Sequence, residues 1–108
     1  MSTNQKTTME LLKQFSPEFA QNQMEEKSLL FENEKYQKVP NKYKMLIGIG
    51  VAVALGSDNC SQMWTNMAKQ NGATNEEIVE AMQIARYLRQ SSANHTVASV
   101  LKNLEENK

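Results

Sequence analysis

Cys60 is the only thiol of the 108-residue chain and His95 its only imidazole, so thiol or imidazole chemistry would have to start from these two side chains. Cys60 stands in S-D-N-C-S-Q-M-W, three residues after Ser57 and four before Trp64, the single indole. A helix beginning at Ser57 or Asp58 places Cys60 in its first turn, where unpaired N–H groups and the helix dipole favour negative charge on sulfur. The same helix puts Cys60, Met63, Trp64, Met67 and Ala68 on one apolar stripe, which favours a buried, structural thiol. From the residues alone both readings stay open, the structural one being preferred. His95 has no carboxylate within one turn to orient it, so a surface or interface histidine is expected rather than a base.

Other chemistries find no support. One cysteine cannot close an internal disulfide, and no Cys/His group has zinc-ligand spacing, so neither a metal nor a cofactor is expected. Gly48-Ile49-Gly50 is no dinucleotide loop, because no strand precedes it and Val53 occupies the place of a third glycine. Each glycine costs about 1 kcal/mol against alanine inside a helix, so the pair implies another helix or a ligand at short range. The sequons at Asn59 and Asn94 are read as chance matches, and most of the seven methionines as core fillers.

The elements that would position Cys60 are helices. From Met45 to Leu55 no side chain is charged or hydroxylated, so a helix here is apolar all round and calls for neighbours on every side. Val39-Pro40 opens this core helix with Pro40 in its first turn, and Gly56 ends it as a left-handed stop before Ser57. Earlier, a short segment around Leu11, Leu12 and Phe15 follows a polar opening of seven residues expected to fray. Ser16-Pro17-Glu18 then starts a second helix to about Phe31, and a charged connector follows. After the Cys60 helix, Asn71-Gly72 is a stop and Thr74-Asn75-Glu76-Glu77 a capping box. The next helix, Asn75 to about Gln90, is expected to bury Ile78, Val79, Ala81, Met82, Ala85 and Leu88. A break or kink is expected at Ser91-Ser92, with a last helix carrying Val97, Val100, Leu101 and Leu104. No period-two strand pattern is present, and the expected fold class is all-α: one small helical domain of residues 1–108, with a peripheral part (1–38), a core (39–90) and a C-terminal helix (91–108).

Twelve basic and twelve acidic residues cancel, so no electrostatic footprint for nucleic acid or an anionic membrane is present. The opening residues lack an apolar signal core, and the apolar run of Met45–Leu55 is too short to span a bilayer. A soluble, cytoplasmic protein is expected. A monomer of this size buries about two-thirds of its unfolded surface, so the surplus of apolar helix surface points to a homo-oligomer.

From Val39 to Tyr87 the chain resembles the carboxymuconolactone decarboxylase family, which includes the alkylhydroperoxidase D-like proteins. The resemblance rests on the core helix, Leu55-Gly56, the turn, a Cys four residues before a large ring, and N-G-A-T-N-E-E-I-V-E-A. It implies an all-helical fold assembled as trimers or hexamers, and peroxiredoxin-type antioxidant activity on a peroxide or another small hydrophobic substrate. In the peroxidase-like members a C-x-x-C opens the second helix, a His follows the second Cys by four residues, and a Glu precedes the first Cys on the core helix. Carried over residue by residue, the two cysteine positions fall on Ser57 and Cys60, the His position on Trp64 and the Glu position on Met45. Dithiol chemistry needs a second thiolate to resolve the oxidised first sulfur, and a proton relay needs groups that titrate. Of these four positions only Cys60 keeps a chemically competent side chain, which implies reduced or lost dithiol peroxidase activity. The alternative is a non-catalytic oligomer that binds a small ligand or serves a structural role.

Overall fold

The computed structural model describes residues 5–108. Five α-helices account for its regular structure, with one short 3-10 turn and no strand among the described residues: α1 Thr8–Phe15, α2 Pro17–Phe31, α3 Asn41–Leu55, α4 Asp58–Gln70 and α5 Asn75–Glu106. The all-α expectation holds. The helices divide into two compact units, one ending at Val39 and one spanning Pro40–Lys108.

In the first unit, Thr7 caps α1 in a reciprocal box: its Oγ1 accepts from the Glu10 N–H at 3.2 Å, and the Glu10 carboxylate accepts from the Thr7 N–H at 3.3 Å. Of the opening segment expected to fray, residues 1–4 lie outside the described residues, and Thr7 is held by this box. Ser16 stands at the N-cap of α2 with Pro17 at the first helical position, but its side chain makes no capping bond. The charged connector contains the 3-10 turn Glu34–Tyr36, capped by Asn33.

In the second unit, α3 packs on both α4 and α5. Pro40 is the N-cap of α3 rather than a residue of its first turn. At the other end Gly56 adopts φ 74°, the left-handed conformation that lets the chain leave the helix without a Cβ clash. Ser57 accepts from the Cys60 N–H and starts α4. The capping box at α5 is present in full, with Glu77 N–H to Thr74 Oγ1 at 3.1 Å and Thr74 N–H to Glu77 Oε1 at 2.8 Å. Met45, Ile49 and Ala52 on α3, Ala68 on α4 and Ile78 and Ala85 on α5 form the buried centre of this unit.

Three expectations need correction. The core helix is not covered on all sides within the chain: Ile47, Val51 and Leu55 are exposed. On α5 only Ile78 and Ala85 are buried, whereas Val79, Met82 and Leu88 are exposed and Ala81 is half-buried. No break occurs at Ser91-Ser92, and α5 runs unbroken for 32 residues. The apolar residues before Ser91 spread around much of the helix: at about 100° per residue, Ile84 and Leu88 point roughly 180° away from Val97, Val100, Leu101 and Leu104, whereas Val79 and Met82 share the face of that later stripe. A gap without large apolar residues, as between Leu88 and Val97, looks like a helix end in a sequence, yet the backbone hydrogen bonds have no reason to stop there. Two serines are mild helix formers, not breakers.

Lys42 joins the start of α3 to the start of α5 through Glu77, at 3.1 Å. The Thr74 backbone N–H and then the Lys42 ammonium hold the Glu77 carboxyl below its ordinary value of 4.5, and the bond to Glu77 raises Lys42 above 10.5. The carboxylate therefore adds stability that is present above pH 4.5 and is lost as pH falls through its lower folded value. Lys42 adds stability that is present below pH 10.5 and is lost above its raised value. Chemical unfolding at pH 7 and pH 3 should show a larger loss of stability for the wild type than for Glu77→Gln; equal losses would place the acid sensitivity elsewhere.

Candidate functional site

Each sequence-predicted site residue has a structural partner or a packing environment. Ser57 is the N-cap of α4: its Oγ accepts the Cys60 N–H at 3.3 Å, and its backbone carbonyl accepts the Ser61 hydroxyl at 2.7 Å. A serine hydroxyl in that place satisfies a helix-end donor that would otherwise lack one. Cys60 follows in the first turn, half-buried, so the structure places the thiol neither in a sealed core nor on an open surface.

One turn further along α4 the Trp64 indole lies across the backbone of α3 at Gly48. A Cβ built on Gly48 would stand 2.5 Å from Trp64 Cε3, 2.6 Å from Cδ2 and 2.9 Å from Cζ3. Glycine at 48 is thus the condition for the indole to lie where it does. Met45, one turn before Gly48 on α3, is buried at 5% exposure. Trp64 itself is half-buried, and Met63, on the expected apolar stripe, is exposed. The structure therefore brings Ser57 and Cys60 into one cap and sets Trp64 on the face of α3 that follows Met45. His95 is exposed on the far half of α5.

Residue-by-residue reading of the sequence did not foresee a groove between α3 and α5. It has a volume of about 690 Å3 and is walled by Leu46, Ile47, Gly50, Val51 and Ala54 on one side and Ala81, Ile84, Ala85 and Leu88 on the other. Tyr43, Glu77 and Glu80 complete its lining, and Lys42 Nζ sits 5.1 Å from the Tyr43 ring centroid. The volume is within the range of small-molecule sites. Gly50 was its one signal in the sequence: a Cβ there would meet the Ala81 carbonyl oxygen at 4.0 Å, ordinary contact, so this glycine lies where α3 and α5 come close. Arg89 further ties the two helices by donating to the Ala54 carbonyl near the C-terminus of α3, a favourable place for a cation.

Among the described residues no group of acidic, His or Cys side chains could hold a metal ion, and no helix is long and apolar enough to cross a membrane.

The profile of the carboxymuconolactone decarboxylase family matches residues 17–103. A solved structure of a protein from Methanobacterium thermoautotrophicum is similar in fold, with a TM-score of 0.76 and 24% sequence identity over 85% of this chain and 97% of that one. Among curated proteins none matches the chain.

If Ser57 serves as a cap, Ser57→Ala should cost about 1 kcal/mol of stability while Ser57→Asp, which keeps an acceptor, should cost far less. Denaturant unfolding of the two variants decides this, and equal losses would mean that the hydroxyl is not the capping group.

Proposed function

The chain belongs to the carboxymuconolactone decarboxylase family, and we propose that within it this protein has lost dithiol peroxidase activity and keeps the helical scaffold as a homo-oligomer, a trimer or hexamer. The observation that carries the reading is Ser57, a helix cap bonded to the Cys60 N–H where the peroxidase-like relatives hold a second thiol. A hydroperoxide oxidises a thiolate to a sulfenic acid and leaves as the alcohol; a neighbouring thiol then condenses with the sulfenic acid to a disulfide, with loss of water. With a single cysteine in the chain, the condensation has no internal partner. Nor is there a relay, since an indole packed on Gly48 and a buried thioether neither accept nor release a proton near neutral pH.

The half-exposure of Cys60 favours a second reading, a one-thiol peroxidase resolved by an external thiol. The two readings part in one assay. Hydroperoxide consumption with a dithiol reductant should proceed at the same rate with the wild type, with Cys60→Ser and without protein. Ser57→Cys should lose both thiols to an internal disulfide on oxidation, since residues three apart at a helix start lie within bridging distance. Turnover by the wild type that disappears in Cys60→Ser would establish the one-thiol enzyme instead.

A further inference from the structure

The chain exposes two apolar surfaces that match each other and cannot meet within one molecule. The first is the α3–α5 groove. The second is the far half of α5, where Val97, Val100, Leu101 and Leu104 stand at i, i+3, i+4 and i+7 and are exposed. Their spacing is that of a helix that lays an apolar face into a groove. The lengths agree, because the anchors span seven residues and so does the α5 wall from Ala81 to Leu88, about 10 Å in each case at 1.5 Å per residue. The stripe cannot fold back into its own groove: α5 is unbroken, Val97 lies about 13 Å beyond Leu88 along it, and the stripe faces roughly away from the groove.

We propose that the far half of α5 of one copy lies in the α3–α5 groove of the next, so that the chains associate head to tail. The inference rests on the homo-oligomer reading above and deepens it by naming the contact. Nine large apolar side chains, five lining the groove and four on the α5 stripe, are each 45% to 62% exposed. Covering them removes on the order of 1,000 Å2 from water, the area at which a specific interface begins. A head-to-tail contact whose rotation closes builds a ring, and in the ring every groove and every stripe is filled.

Two exposed positions test the contact without touching the buried centre: Ile84→Lys blocks the groove and Leu101→Lys blocks the stripe. Circular dichroism confirms that each variant folds. In sedimentation the wild type should run as a multiple of 12.3 kDa, and each variant alone should fall to the monomer. Mixed one to one, the two variants should form a species of two chains, because the intact stripe of one meets the intact groove of the other. A monomeric wild type would overturn the assembly reading and this contact with it. Variants that keep the wild-type mass would overturn the contact and leave the assembly standing. Variants that dissociate but do not pair on mixing would overturn the seating of the stripe in the groove.

Discussion

The packing of the Trp64 indole on the bare backbone of Gly48 sets the arrangement of the second unit. A ring this close to a helix axis is possible only where the opposing residue has no Cβ, and a Cβ here would stand within 3 Å of three ring atoms. Glycine inside a helix carries a cost of about 1 kcal/mol relative to alanine. Contact between an aromatic ring and a close-packed neighbour offsets it, since filling such a space avoids the cavity that a smaller side chain would leave. With α3 and α4 joined in this way, Gly56 turns the chain between them, Ser57 starts α4, and Cys60 is carried into its first turn. On the other flank α3 approaches α5 between Gly50 and Ala81, and the Lys42–Glu77 pair and Arg89 tie the ends of α3 to α5.

On the proposed reading, the same contacts account for the loss of dithiol chemistry. Three of the four positions at which the resemblance places a reactive group serve the scaffold: a hydroxyl that caps a helix, an indole that fills an interhelical space, a thioether in the buried centre. These roles make opposite demands on a side chain. A resolving thiol must be free to leave its cap and reach a partner sulfur, and a relay residue must gain and lose a proton. A cap or packing residue works best when it does neither. On the proposed reading such a site keeps its geometry while losing its reaction, which is one way a fold comes to host different functions.

Much of this was legible in the sequence wherever a local rule has one dominant cause. Gly56 and the Thr74–Glu77 box were read correctly because a positive φ and a reciprocal cap each depend on a few adjacent residues. The glycine pair was read as a sign of close approach, and Gly48 meets an indole as expected, but which ring would lie there depends on the register of two helices that no local pattern encodes. The reading failed at Ser91-Ser92 because periodicity reports the face that is apolar and not the continuity of the backbone. It failed at Ile47, Val51 and Leu88 because apolar character alone does not say whether a side chain is covered within the chain. The groove stayed hidden because it is formed by side chains from two helices about 35 residues apart in the chain.

The most direct measurement is a double-mutant cycle on the Gly48–Trp64 contact, with stabilities of the wild type, Gly48→Ala, Trp64→Leu and the pair taken from denaturant unfolding. An added methyl facing a rigid ring should cost about 1–3 kcal/mol as overpacking in the wild type. With the ring replaced by a flexible side chain that can move aside, alanine should be neutral or stabilising, through its better helix propensity. A coupling of at least about 1 kcal/mol is therefore predicted. Additive effects of the two substitutions would contradict the account, because the place of Trp64 would then not depend on the bare backbone at Gly48.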